Sequence, residues 1–538
     1  MTHAVPRPFR SIALLVALFA LACAPRAARA EGVPDIASQL PRSFDAAILV
    51  PSLSALSTHA SQLVTAMELS TLSSIEQLVT VMGLRGGLDF DRGAAAILAF
   101  PDAADDRIRV SVVVPVEDYG AFASNFIKDF DAQRPGISEF TYFGRQYFIK
   151  SVGDRFALIG ETAEAVRAYE PAGNTEAFEA LVGSAGATAM RGADLSLVLN
   201  VPNSKDSITR LSLRYGQLLT AMAPSPAKAT GFLGARIEEL TRDGQGITLA
   251  FTPGQLGLRM SAAVSNRAGT PAADLCADAS DARLIEALPG GESYLAAGVD
   301  LAHPAMANWL KGALPEGFTE GVSKASILAF VPDVPFLGNG GAQRAVIRLE
   351  TESPEKPLAA LESMLLTKDD PRYKGQYGRR YKVYDEVPID GWSFMPENPR
   401  AVSPMIIGMR PDILGAAAAH NGSSYIFTTR SKSVARAAMG LDGSPRFLET
   451  NGVVAQVRAM LPKNPSFELY VMPKLVLDDF ASLIMFYKPT FKVLPQVPPA
   501  GMNVVIGGGS ATGNAFVPAP TLAHAIELYN IFLAPTAK

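Results

Sequence analysis

GRQYFIKSVGDRFALIGETAEAVRAY, residues 144–169, decides the fold class. Two apolar, β-branched and aromatic runs, RQYFIK and RFALIG, flank a few turn residues centred on Gly153-Asp154. A connection that short joins only antiparallel neighbours, because a parallel pair needs a crossover of a dozen residues or more. The helical pattern TAEAVRAYE (162–170) follows at once. A helix laid beside an antiparallel hairpin is the signature of an α+β arrangement, in which helices pack on a mainly antiparallel sheet.

The same grammar extends on both sides. FTYFGRQYFIK (140–150) reads as a tight hairpin around Gly144. Further upstream, GAAAILAF (93–100) and RIRVSVVVPV (107–116) are strands separated by the Pro- and Asp-rich turn PDAADD. Between RIRVSVVVPV and the hairpin, Tyr119, Phe122, Ala123, Phe126, Ile127 and Phe130 recur at helical spacing, so a helix over 117–130 is predicted with all six on one face. Glu117 and Asp118 sit in its first turn, where the helix dipole favours negative charge. The set opens with Leu40-Pro41 and the strand DAAILVPSL (45–53), followed by a helix-rich stretch to about Met82.

These features return in order. Leu288-Pro289 precedes SYLAAGVDL (293–301), ASILAFVP (325–332) matches AAILAFP (95–101), and QRAVIRLE (343–350) stands where RVSVVVPV stood. Ser353 is placed to cap a helix beginning at Pro354. YGRRYKVYD (377–385) echoes FGRQYFIKS (143–151), SSYIFTTRSKSVARAAMG (423–440) echoes DRFALIGETAEAVRAYEP (154–171), and PSFELYVMPKLVLDDF (465–480) parallels ADLSLVLNVPNSKDSI (193–208). The expectation is two similar α+β repeats, 31–266 and 288–538, joined by a linker at 267–287 that is small, polar and broken by Pro and Gly. The segment 386–404, with four prolines and Trp392, has no counterpart in the first repeat and is expected to be a surface loop that does not continue the sheet.

Residues 1–30 read as a signal peptide: a basic start with Arg7 and Arg10, the apolar run SIALLVALFALA (11–22), and AARA (27–30), which leaves a mature start at Glu31. The alternative is a lipid anchor at Cys23. The expected location is the periplasm or cell envelope. Cleavage removes four arginines and no acids, taking the formal charge from −4 to −8. An acidic surface opposes nucleic-acid binding, which needs clustered Lys and Arg. No later run reaches the roughly 18 apolar residues of a membrane-spanning helix. Hydrophobic residues at 48 % against 19 % charged are enough to bury a core in most of the chain. Beyond Cys23 the only cysteine is Cys276, so an internal disulfide is ruled out and the fold rests on burial.

The residues show no chemistry by spacing. His59, His303, His420 and His524 are scattered, without H-x-x-H, H-E-x-x-H or C-x-x-C. Asp89 and Asp91 lack the remaining ligands of a calcium loop, and Asp274, Asp278 and Asp281 are spaced for one solvated helix face. G-x-S-x-G, S-x-x-K and G-x-x-x-x-G-K-[ST] are missing. GGGSATGN (507–514) has no following Lys and reads as a hairpin. With 52 acids, no carboxylate pair for glycoside hydrolysis can be selected without geometry. No catalytic, cofactor-binding or metal-ligating residue is therefore singled out, and no cofactor is expected.

The exported start, the Leu-Pro opening, the AAILAF strand, the helix initiated at Asp118-Tyr119 and the 144–169 stretch together resemble bacterial exported proteins grouped by a domain of unknown function, with two tandem repeats. The resemblance covers most of the mature chain. It implies no activity, cofactor or catalytic residue. The functional expectation is a non-enzymatic envelope protein with a binding or structural role and an unidentified protein or envelope partner. The alternatives are an exported hydrolase whose site assembles only in three dimensions, and a periplasmic solute-binding protein.

Overall fold

The computed structural model describes residues 32–69, 86–101, 107–128, 130–131, 136–210, 226–311, 317–330, 345–353, 356–357, 360, 378–384, 387–393, 414–419, 423–427, 445–478, 485 and 497–532. Helices and antiparallel strands mix in an α+β arrangement. The signal segment, Cys23 and His420 lie outside the described residues, as does most of the helix expected from Pro354. The chain divides into two compact units, residues 1–274 with 508–512, and residues 275–507 with 513–538.

Among the described residues, the first unit is built on nine strands: β1 (Ala46–Val50), β2 (Ala94–Ala99), β3 (Arg109–Pro115), β4 (Ser138–Tyr142), β5 (Arg145–Val152), β6 (Phe156–Gly160), β7 (Leu195–Asn200), β8 (Gly244–Gly254) and β9 (Gly257–Asn266). Every pairing is antiparallel, and the order across the sheet is β4-β5-β6-β3-β2-β1-β7-β8-β9. The central strands are covered on both faces, which explains why their sequences are nearly continuous in apolar residues. Leu49, Ala95, Val113 and Leu158 form one row across four strands and point into one core with Val166, Leu181 and Val182. Ile48, Ala96 and Val112, one residue out of phase, point into the other with Leu53, Phe122 and Phe140. The period-two geometry of a strand sends adjacent residues to opposite faces. The β4–β5 turn falls at Phe143-Gly144, both left-handed (φ 46° and 73°), as a two-residue hairpin requires.

The helix predicted over 117–130 is shorter than its pattern. Tyr119–Ala123 is helical, with Asp118 Oδ1 accepting from the Ala121 amide at 3.0 Å. Beyond it, Ser124 Oγ donates to the Gly120 carbonyl, and Asn125 Nδ2 donates to those of Ala121 and Phe122. Side chains that bond the last-turn carbonyls compete with helix propagation. The chain continues in turns to Lys128, and the apolar face survives: Phe122 is buried and Phe126 packs against Phe122, Phe140 and Tyr142. The expected partner strand, 107–116, does contribute Val110, Val112 and Val116 to this core, but the rings that touch Phe126 come from the preceding helix and from β4.

Among the described residues, the second unit has ten strands: β10 (Ser293–Asp300), β11 (Val322–Phe330), β12 (Ala345–Thr351), β13 (Gly378–Tyr384), β14 (Val387–Ser393), β15 (Leu414–Ala419), β16 (Ser423–Phe427), β17 (Phe467–Val471), β18 (Ala500–Gly507) and β19 (Ser510–Pro518). Their order is β13-β14-β15-β16-β12-β11-β10-β17-β18-β19, antiparallel wherever the register is defined. Tyr470, Ala296, Leu328 and Val346 make a fully buried row across β17, β10, β11 and β12. The β18–β19 turn is the glycine-rich stretch, with Gly508 and Gly509 both left-handed, a hairpin as expected.

Three expectations are corrected here. Residues 387–393 form a sheet strand, not a loop: Pro388 lies opposite Val383, and β14 is hydrogen-bonded on both sides, to β13 and β15. Because of β14 and β15, β13 lies three places from β16, whereas β5, which it echoes in sequence, lies directly beside β6. The stretch expected to be a linker is packed: Leu284 and Ile285 are buried in the second core, and Gly298 of β10 is a glycine because a Cβ there would sit 2.5 Å from Leu284 Cβ. Asp274, Asp278 and Asp281 do not share a helix face either, since the helix Pro271–Leu275 ends before the second of them.

Candidate functional site

A cleft of about 540 Å³ opens at one end of the central strands of the first unit. Antiparallel pairing puts the end of β1 beside the starts of β2 and β7, so three connections converge there. Pro51 and Ser52 follow β1, Asp91, Arg92 and Gly93 precede β2, and Ala193 and Asp194 precede β7. The 3₁₀ turn Asp35–Gln39 and the helix Leu53–Ala66 supply the remaining walls, with Phe156 and Met190. The helix starts at Ser52, whose Oγ accepts from the Ala55 amide, while the Leu53 and Ser54 amides donate to the carbonyls of Arg92 and Phe90. Its N-terminal donors are thereby used internally.

His59 lies on this helix and Asp194 on the opposite wall. Both carboxylate oxygens of Asp194 stand within reach of His59 Nδ1, at 2.9 and 2.8 Å. Asp194 is buried (6 % exposed side chain), whereas the His59 ring is 33 % exposed. A buried carboxylate on Nδ1 fixes the proton there and leaves Nε2 as an acceptor in the neutral ring. Among the described residues, no other hydrogen bond reaches the His59 side chain. Asp89 accepts from Arg92 Nε at 2.7 Å and from the Asp91 amide at 3.2 Å, which sets the turn before β2. The hydroxyls of the cleft are tied to their own loops: Ser38 Oγ donates to the Asp35 carbonyl, Ser52 Oγ shares a hydrogen with Ser54 Oγ, and Thr252 Oγ1 donates to the Gly192 carbonyl.

The other histidines do different work. His303 caps the helix Pro304–Leu310: Nδ1 accepts from the Ala305 amide at 3.2 Å and Nε2 donates to the Asp278 carbonyl at 3.0 Å. It follows β10 much as His59 follows β1, but both nitrogens are spent on backbone and it is buried. His524 is buried, with Glu527 3.5 Å away, and burial holds its pKa below the usual value. Among the described residues, no group of three or more His, Cys, Asp or Glu is arranged to hold a metal. Cys276 is buried and forms no disulfide among the described residues. No helix among them is long and apolar enough to cross a membrane.

The pairing of His59 with Asp194 was not legible in the sequence. The partners are 135 positions apart and belong to no motif. The one local sign was an acid at the head of an apolar strand, in ADLSLVL, where a buried carboxylate needs a partner.

No protein-family model matches the chain, and no curated protein matches it. Two solved structures were found, crystal forms IV and III of TP0453. Form IV is 11 % identical, with 44 % of this chain and 81 % of that chain covered, at a TM-score of 0.22. Form III is 9 % identical, with 46 % and 99 % covered, at the same TM-score. A TM-score that low carries no argument about this chain.

Proposed function

We propose that the chain is an exported envelope protein with a binding role and no catalytic one, built from two tandem copies of one α+β fold, the first copy carrying the ligand cleft. The duplication is supported by strand order. Reading β14-β15-β16-β12-β11-β10-β17-β18-β19 in the second unit against β4-β5-β6-β3-β2-β1-β7-β8-β9 in the first gives the same succession of connections, with β13 added at one edge. Leu40 and Leu288, the leucines of the two Leu-Pro openings, are both buried in their cores.

The observation that carries the binding role is the cleft with its buttressed imidazole. Its volume is in the range of small-molecule sites. A serine or threonine nucleophile would need to hydrogen-bond its base. Here the cleft hydroxyls bond their own loops, and His59 bonds only Asp194 among the described residues. A second reading, hydrolysis by a water activated at His59 Nε2, is favoured by the same carboxylate–imidazole pair. The mature chain incubated with labelled ligands separates the two: bound ligand recovered unchanged fits the proposal, and product formation abolished by His59→Gln fits hydrolysis. Intact mass of the secreted protein tests the address. A chain starting at Glu31 is expected, and a diacylated Cys23 would replace that with the lipid-anchored form.

A further inference from the structure

We propose that the cleft takes a neutral, hydroxyl-rich ligand of the saccharide class, an inference that rests on the reading of the cleft as a binding site. The groups left over after the internal hydrogen bonds are mostly acceptors: His59 Nε2 and the exposed carboxylates of Asp35 and Asp91. One strong donor stands beside them, the part of the Arg92 guanidinium not used by Asp89. Apolar surface from Ile36, Met190 and Phe156 lines the same space.

Each charged alternative meets an opposing group. An anion would be drawn to Arg92 but would face Asp35 and Asp91. A cation would be drawn to those carboxylates but would face Arg92. Their attraction for it would also be weak, because both are solvent-exposed and the one buried carboxylate, Asp194, is already matched by His59. A sugar satisfies the whole set. Its hydroxyls donate to the imidazole and the carboxylates and accept from the guanidinium, while its C–H faces cover the apolar wall. Polar and apolar surface share this lining about evenly, and a few placed polar groups beside apolar surface are what orient a ligand in a small-molecule site.

The test is saturation-transfer NMR and calorimetry on the mature chain with three probe classes: maltotriose and chitotriose as neutral saccharides, spermidine as a cation, and citrate as an anion. Binding is expected for a saccharide alone. His59→Gln, which keeps a donor for Asp194 but removes the ring acceptor, and Asp91→Ala, at an exposed position, should each weaken it about tenfold, the loss of roughly one hydrogen bond. Circular dichroism and melting temperature should stay those of the parent. Saccharide binding untouched by both variants would overturn the assignment to this cleft. Spermidine or citrate binding that depends on these residues, without saccharide binding, would overturn the saccharide class and leave the binding reading standing. If no probe of any class binds, both fall together.

Discussion

Removing Arg458 should destabilise the second unit strongly, because it leaves a buried carboxylate without its cation. Its Nε and Nη2 grip both oxygens of Glu468 at 2.9 and 3.1 Å, and Nη2 also donates to Glu286 at 2.7 Å. Tyr470 Oη donates to Glu468 at 3.0 Å. Glu468 is fully buried on β17, while Arg458 reaches it from the helix Gly452–Ala459 with 25 % of its side chain exposed. Burial pushes the Glu468 carboxyl above its ordinary pKa, with Arg458 pulling the other way. Burial also works against the Arg458 charge, but Glu468 and Glu286 outweigh it and hold the guanidinium above its ordinary value. Arg458→Met keeps most of the stem and strands the buried carboxylate, so a loss of about 3–5 kcal/mol is expected. Arg458→Met combined with Glu468→Gln should recover much of it, because no unpaired charge remains. Lys474→Ala is the contrast: its pair with Asp478, 2.7 Å apart, is exposed on both sides and should be worth about 0.3–0.5 kcal/mol. Urea unfolding of the mature chain, followed through the transition of the second unit, measures all three. The pH dependence adds a signed check. The folded state binds the Glu468 proton more tightly than the unfolded state, so the deficit of Arg458→Met should shrink as pH falls from neutrality toward the ordinary value of 4.5. A loss no larger than that of Lys474→Ala, or a deficit that grows on acidification, would refute the claim that a buried ion pair holds β17 to its helix.

Three further outcomes concern packing and charge. Phe122→Ala, at a ring 1 % exposed, should destabilise the first unit by about 3–5 kcal/mol; half-buried Phe126→Ala should cost less, and exposed Lys128→Ala under about 0.5 kcal/mol, by the same denaturation. Gly87→Ala should cost more than about 1 kcal/mol, because Gly87 is left-handed (φ 84°) and a Cβ would lie 2.4 Å from the Phe122 amide nitrogen, leaving backbone on both sides to move. His524, whose pKa burial lowers from 6.5, binds its proton less well folded than unfolded, so its contribution is complete above about pH 6.5 and is lost as pH falls; melting curves between pH 7 and 5 should flatten in His524→Gln.

The sequence determined what depends on local pattern. Continuous apolar runs such as AAILV and VSVVV gave strands buried on both faces, and short Gly-centred connections at 143–144, 153–154 and 508–509 forced antiparallel neighbours. Periodicity also named the buried face of 119–130, although not the helix length, which Ser124 and Asn125 shortened through bonds that no hydrophobic pattern records. Composition misled where packing overrode it. The small, polar look of 267–287 hid Leu284 and Ile285, and the prolines of 386–404 hid β14, because a strand's fate depends on which partners offer it hydrogen bonds. The cleft was decided by tertiary structure alone. His59 and Asp194 meet because antiparallel pairing of β1 with β7 brings the end of one strand beside the start of the other. Spacing along the chain carries no information about a pairing made across a sheet, and so the residues most suited to hold a ligand are the ones the sequence left unmarked.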